Sequence, residues 1–163
     1  VSSTPGQGSC FCVYMPQVVS PATGADTHVP ERAHGHETVM LVEDESSLRD
    51  MTARMLEASG YRVVTARAAE DALELLQDYP DVALVITDVV MPGLSGADLA
   101  EQIALQRPAL KVLFVSGYTD DKLTRVLSMR GAHFLPKPYT VTLLTRKVRQ
   151  LLDEPATGSS THD

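Results

Sequence analysis

The fold is decided by one apolar stretch, which reads Val82-Ala83-Leu84-Val85-Ile86-Thr87-Asp88. It is the most hydrophobic run of the chain, and five consecutive apolar residues predict a strand that is covered on both faces of a sheet. A carboxylate, Asp88, follows directly after this run. The stretch therefore predicts a central strand of a sheet, with an acidic side chain where the strand ends.

Similar apolar runs occur on either side of this strand, and amphipathic segments alternate with them. Strands are predicted at 38–42, 62–65, 82–86, 112–115 and 133–135. Helices are predicted at 46–59, 68–77, 97–106, 120–129 and 141–152. In the first helix, Leu48, Met51, Met55 and Leu56 are expected to share the buried face, and Gly60 is expected to cap the carboxyl end. Five strand–helix units predict an α/β fold with a parallel sheet and helices on both of its faces.

Composition divides the rest of the chain and limits its partners. Residues 17–36 are rich in Pro and Gly and predict a linker, residues 37–152 form the predicted domain, and 153–163 predict a disordered tail.

The net charge of −7 argues against a nucleic-acid surface, which needs clustered Lys and Arg. We expect no membrane contact from this fragment, because no apolar run approaches the length that spans a bilayer. The two cysteines, Cys10 and Cys12, complete neither a zinc site nor a disulfide framework, so a cytoplasmic location is expected.

Polar residues follow four of the five predicted strands. Glu43 and Asp44 come after the first strand, Asp88 after the third, Ser116 after the fourth and Lys137 after the fifth. In open parallel sheets the carboxyl ends of the strands share one edge, where ligands bind. Clustered carboxylates stay ionised only beside a cation, and their oxygens suit Mg²⁺. An aspartate can also attack phosphorus, while an ammonium and a hydroxyl neutralise and bind the phosphoryl oxygens.

Four segments, each after a predicted strand, resemble the receiver (response-regulator) domains of two-component signalling. They are Leu41-Val42-Glu43-Asp44-Glu45, Ile86-Thr87-Asp88-Val89-Val90-Met91-Pro92-Gly93-Leu94-Ser95-Gly96, Phe114-Val115-Ser116-Gly117-Tyr118 and Gly131-Ala132-His133-Phe134-Leu135-Pro136-Lys137-Pro138. The resemblance covers residues 37–152 and implies a flavodoxin-like (CheY-like) doubly wound sheet of five parallel strands in the order 2-1-3-4-5.

The resemblance also implies roles for the residues at the sheet edge. Asp88 matches the phosphoacceptor. Glu43 and Asp44 match the acidic pair, with Asp44 a direct Mg²⁺ ligand and Glu43 acting through water, and the backbone carbonyl of Val90 matches a further metal ligand. Mn²⁺ is an alternative ion.

Three residues in the second half of the domain match family residues that contact the phosphoryl group or move in response to it. Ser116 matches the switch hydroxyl and Lys137 the phosphate-contacting lysine. Phe134 falls where the family has an aromatic residue that turns inward on activation. The family usually has a cis peptide bond after this lysine, so the Lys137–Pro138 bond is expected to be cis.

A second resemblance concerns residues 1–16, in which Thr4–Pro16 looks like the closing hairpin of a histidine-kinase ATP-binding domain. It implies that the chain, which begins with Val1, is the C-terminal receiver of a hybrid sensor histidine kinase, whose parent protein could be anchored in a membrane. This fragment would have no kinase activity of its own. Its phosphodonor would be a histidine-kinase dimerisation domain, and a histidine phosphotransfer protein could follow downstream. The alternative is a stand-alone response regulator.

Two other functions were weighed against these residues. Phosphohydrolases of the haloacid-dehalogenase group use an aspartate nucleophile, but they normally carry a second Asp two positions later, where this chain has Val90. A degenerate receiver that only binds partners would lack an acid or the lysine, and Glu43, Asp44, Asp88 and Lys137 are all present. Phosphoryl acceptance at Asp88 is therefore the function that the sequence predicts.

Overall fold

The computed structural model describes residues 2–4, 6, 8–10, 12, 34–117 and 132–155, and these residues form two separate sheets. A small antiparallel hairpin pairs β1 (Ser2–Thr4) with β2 (Gly8–Cys10). The strands of the larger sheet are β3 (Thr38–Val42), β4 (Arg62–Ala66), β5 (Val82–Asp88), β6 (Lys111–Ser116) and β7 (His133–Pro136).

The larger sheet is parallel throughout, in the order β4-β3-β5-β6-β7. Counted within the sheet this is 2-1-3-4-5, as predicted. The chain leaves β3 toward one edge and returns to β5 on its other side, so the order reverses between these two strands. Ligands of open α/β sheets bind beyond the carboxyl ends of the strands at such a reversal.

Four helices are described: α1 (Ser46–Glu57), α2 (Ala69–Asp78), α3 (Gly96–Gln106) and α4 (Val141–Asp153). Every residue of β3 is buried, and alternate residues enter different cores. Val39 and Leu41 pack with residues of α1 and α4, whereas Met40 and Val42 pack with residues of α2 and α3. The helices therefore cover both faces of the sheet, which explains the unbroken apolar pattern of its central strands.

Helix α1 ends as predicted at Gly60, although its last regular residue is Glu57. Gly60 has a φ of 92°, its N–H donates to the Glu57 carbonyl (2.9 Å), and the N–H of Tyr61 donates to the Leu56 carbonyl (3.3 Å). These two bonds form a Schellman motif, in which glycine accepts the left-handed conformation without steric cost.

The predicted buried face of α1 was wrong at one position. Met51 is 47% exposed, while Thr52 and Ala53 are buried. Thr52 and Ala53 precede the buried Leu56 by four and three residues and therefore lie on its face of the helix, whereas Met51 lies five residues back and points away.

Several predictions fall on parts of the chain outside the described residues. They include the helix at 120–129, most of the linker at 17–36 and the last part of the tail. The domain boundaries stay predictions. Among the described residues, no helix is both long enough and apolar enough to cross a membrane.

Candidate functional site

Three carboxylates meet at the carboxyl ends of β3 and β5. Glu43 and Asp44 follow β3, and Asp88 is the last residue of β5. One oxygen from each side chain lies within 4.8 Å of the other two. Glu43 is buried, Asp88 is half-buried and Asp44 is exposed, so the cluster opens to solvent on the Asp44 side.

The ammonium of Lys137 bridges two of these acids. Its Nζ donates to Glu43 Oε2 (2.8 Å) and to Asp88 Oδ2 (2.5 Å). Burial opposes the charged form of Lys137, but the hydrogen bonds and charges of Asp88 and Glu43 outweigh it and raise the pKa of the lysine. Lys137 therefore carries its positive charge at neutral pH.

Backbone contacts aim Lys137 at the acids. It follows β7 directly, its N–H donates to the carbonyl of Ser116 (2.8 Å), and the Lys137–Pro138 peptide bond is cis, as the resemblance implies. Strands β6 and β7 thus deliver Ser116 and Lys137 side by side to the edge that carries Asp88.

The site is short of positive charge. Burial raises the pKa of Glu43, and the charge of Asp88 adds to this effect, although the hydrogen bond from Lys137 works against it. Within the described part of the chain, Lys137 is the one cationic side chain seen to pair with these three carboxylates, so a further cation would stabilise their ionised forms. The donors are all oxygens, which Mg²⁺ prefers, and the open side leaves room for the waters that this ion keeps.

The loop after β5 is fixed around Asp88. Val90 donates its N–H to Asp88 Oδ1 (2.9 Å), and Val89 donates its N–H to the carbonyl of Val115 on β6 (3.1 Å). A Cβ at Gly96 would lie 2.1 Å from the Asp88 carbonyl oxygen, so helix α3 begins directly against the backbone of Asp88. Oδ2 faces Lys137 while Oδ1 is held by the loop.

Two further predicted residues, Ser116 and Phe134, lie at or beside this edge of the sheet. The buried Ser116 hydroxyl donates to the carbonyl of Gly117 (3.3 Å). Phe134 is half-buried and packs against a small cluster formed by Val89, Ala97, Ala100 and Phe114, on the α3 side of the sheet.

Sequence reasoning missed two contacts that shape the site. Arg49 of α1 donates to the backbone carbonyls of Glu43 and Asp44. Tyr139, two residues after Lys137, shares a hydrogen bond with the buried Thr52 (3.1 Å). The Arg49 contacts could have been suggested by the sequence, because an arginine one turn into a helix can reach an acidic loop that precedes the helix. The bond between Thr52 and Tyr139 joins residues 87 apart, and nothing in the local sequence indicates it.

Comparison with known proteins assigns this geometry to a family. The sequence model of the response regulator receiver domain matches residues 39–149. The chain belongs to this family. Receiver domains bind Mg²⁺ in an acidic pocket and accept phosphoryl groups from histidine kinases or phosphotransfer domains, in two-component signalling.

Similar receivers occur in proteins of different lengths. The sensor kinase CckA of Brucella abortus is 32% identical over 160 residues, which cover 91% of this chain and 17% of CckA. The response regulator receiver protein CpdR of the same organism is 31% identical over 115 residues, which cover 70% of this chain and 95% of CpdR. The crystal structure of the receiver domain from the hybrid histidine kinase CckA superposes with a TM-score of 0.60 at 32% identity, covering 71% of this chain and 99% of that one.

Proposed function

We propose that this receiver accepts a phosphoryl group from phosphohistidine on Asp88, in a reaction that requires Mg²⁺. The observation that carries the proposal is the bridge from Lys137 to Asp88 and Glu43, with Asp44 completing the acidic group. It combines a nucleophile, ligands for a hard cation and a fixed positive charge at one edge of the sheet.

Each residue has a part in the proposed transfer. An Asp88 carboxylate oxygen forms a bond to phosphorus as the P–N bond to the donor imidazole breaks, and the histidine leaves with that electron pair. Asp44, Asp88 and the Val90 carbonyl would hold the metal directly and Glu43 through water; Mn²⁺ could replace Mg²⁺. The bound ion would supply positive charge against the phosphoryl oxygens.

The remaining predicted residues would change their contacts when Asp88 is phosphorylated. The Lys137 ammonium would exchange part of its contact with Asp88 for a phosphoryl oxygen, and the Ser116 hydroxyl would turn from the Gly117 carbonyl toward another. Phe134, which already packs on the cluster beside β6, would turn inward and change the surface on that side. A ligand with different affinities for two such arrangements shifts their populations.

The proposal is tested by mass spectrometry of the intact chain after incubation with acetyl phosphate, a small phosphodonor. We expect one phosphoryl adduct that requires Mg²⁺ and that disappears in Asp88→Asn, which keeps the shape of the side chain but loses the nucleophilic carboxylate. Asp50→Asn, at an exposed position on α1, is the matched control and should label normally. An adduct that persists in Asp88→Asn would overturn the assignment of the acceptor.

We further propose that the receiver belongs to a hybrid sensor histidine kinase in the cytoplasm, with residues 1–16 as the end of the kinase ATP-binding domain. The match to CckA covers 91% of the chain, more than residues 37–152 alone account for. The alternative of a stand-alone regulator is supported by CpdR, which the match covers almost completely. An antibody against the receiver should detect a polypeptide far longer than 163 residues in the source cells if the hybrid assignment is right.

A further inference from the structure

Arg49 reaches back from the first turns of α1 to the loop that carries two of the acids. Its Nη1 donates to the carbonyl oxygen of Glu43 (2.7 Å) and to that of Asp44 (3.3 Å). The side chain is half-buried. A guanidinium is planar and carries several donors in a fixed arrangement, so a single arginine can hold two successive peptide units in a defined orientation.

The start of α1 has little else to fix this loop. Glu45 is the N-cap residue, and it makes no side-chain capping bond to the helix. By contrast, α3 begins with a complete capping box between Ser95 and Asp98. The backbone of the acidic loop is tied to β4 through the Glu43 N–H, which donates to the Ala66 carbonyl (3.1 Å). Arg49 supplies a different side-chain contact, because it donates to the carbonyls of the loop rather than accepting from N–H groups of the helix.

The orientation of these peptide units matters for a metal site. The carboxylates of Glu43, Asp44 and Asp88 repel one another before a cation arrives, and the exposed Asp44 has the most freedom to move away. Mg²⁺ requires near-ideal octahedral geometry, so ligands that must first be brought together bind it less tightly. Residues that orient metal ligands typically change metal affinity by about 10–100-fold when they are replaced.

We propose that Arg49 is a positioning residue for the metal site, holding the carbonyls of Glu43 and Asp44 so that their carboxylates stay in ligand geometry. The inference rests on the proposed Mg²⁺-dependent function and adds a residue to it. The positive charge of Arg49 acts in the opposite direction, because a nearby cation repels Mg²⁺. Positioning and charge therefore predict opposite signs when the arginine is replaced.

The test is the Mg²⁺ dissociation constant of the full chain, measured by titration calorimetry without phosphodonor. Arg49→Met keeps most of the side-chain length and removes the donors and the charge; we expect it to weaken Mg²⁺ binding about tenfold. Arg54→Met is the matched control, because it removes the same charge from an exposed position on the same helix. This control should bind Mg²⁺ as tightly as the unchanged chain or slightly more tightly.

Arg49→Lys separates the two effects further, because it keeps the charge but replaces the planar guanidinium with a shorter side chain whose ammonium donors have no fixed orientation. Its affinity should lie below that of the unchanged chain, because the positioning is weakened while the charge that repels Mg²⁺ is kept. Urea unfolding in EDTA shows that each variant is folded, and a role confined to stability would lower the unfolding midpoint without changing the affinity of the folded protein. Equal or tighter Mg²⁺ binding by Arg49→Met overturns the inference. If the unchanged chain itself binds no Mg²⁺, the proposed function fails, and the inference with it.

Discussion

Gly96 lies directly against Asp88, the proposed phosphoacceptor, and any side chain at this position would collide with the backbone. A Cβ at this position would be 2.1 Å from the Asp88 carbonyl oxygen and 3.1 Å from Thr87 Oγ1. We expect Gly96→Ala to lower the free energy of unfolding by about 1–3 kcal/mol, the usual cost of forcing extra volume into a packed site. Because the alanine pushes on Asp88, labelling by acetyl phosphate should also slow.

The control for this substitution is Gly117→Ala, also at the sheet edge. Among the residues that the structure describes, no heavy atom would lie within 4 Å of a Cβ at Gly117, so the free energy of unfolding should change by less than about 0.5 kcal/mol. Urea denaturation of both variants, with labelling rates from mass spectrometry, provides the comparison. Equal stability of the two variants would mean that α3 can move away from Asp88 without cost.

Individual residues of the site were predictable to the extent that strand ends determine their position. Glu43, Asp44, Asp88 and Lys137 were placed together because the carboxyl ends of parallel strands share an edge. The contacts of Arg49 were not predictable in this way, because they depend on the direction in which a side chain near the start of a helix extends over the preceding loop.

Helix α1 and the loop before α4 are joined by a hydrogen bond between a buried threonine and a half-buried tyrosine. The hydroxyls of Thr52 and Tyr139 are 3.1 Å apart, Thr52 is 1% exposed, and burial raises the pKa of Tyr139. We expect Tyr139→Phe and Thr52→Val each to lower the free energy of unfolding by about 1–2 kcal/mol, because each leaves the other hydroxyl buried without this partner.

The double variant Thr52→Val/Tyr139→Phe should be less destabilised than the sum of the two single variants, since no hydroxyl is then left unpaired. A coupling of about 0.5–1.5 kcal/mol in a urea-unfolding cycle would agree with a direct bond between the elements. Strictly additive effects would show that the hydroxyls do not stabilise each other.

At the level of elements, the sequence predicted the strands well, because buried parallel strands and amphipathic helices have distinct periodicities. The order of the strands was implied by the resemblance to receiver domains. The prediction from periodicity failed at the buried face of α1, where the apolar Met51 was preferred to Thr52. Hydrophobicity alone cannot identify a buried threonine whose partner, Tyr139, lies 87 residues away.

Across the whole domain, one ion pair ties the residue before β3 to the last helix. Arg149 Nη1 lies 2.8 Å from Glu37 Oε1. Burial works to raise the pKa of Glu37, but hydrogen bonds from the backbone and from Arg149 outweigh it and lower the pKa below its ordinary value of 4.5. As the pH falls, the unfolded chain therefore binds a proton at Glu37 before the folded chain does.

It follows that stability contributed by Glu37 is fully present above about pH 5.5 and is lost as the pH falls below 4.5 through the lowered pKa of the folded state. The difference in unfolding free energy between the unchanged chain and Glu37→Gln should shrink over this range when measured by urea denaturation. In an Arg149→Met background the pH dependence should be much weaker. A difference that grows toward low pH would contradict this assignment.

The acidic edge of the sheet should couple metal binding to the stability of the entire domain. A ligand that binds only the folded state stabilises it by an amount set by its concentration, about 2.7 kcal/mol at a hundred times the dissociation constant. We expect Mg²⁺ at that level to raise the unfolding free energy by this amount relative to EDTA, with ionic strength matched by NaCl. If Asp44→Asn binds Mg²⁺ tenfold more weakly, it should lose about 1.3 kcal/mol of this gain at the same Mg²⁺ concentration, because the gain depends on the logarithm of one plus the ratio of concentration to dissociation constant. Asp50→Asn, an exposed acid on α1 outside the cluster, should keep all of it. An equal gain in both variants would mean that Mg²⁺ stabilises the protein through its general negative charge, so the cluster would lose its role as a specific metal site.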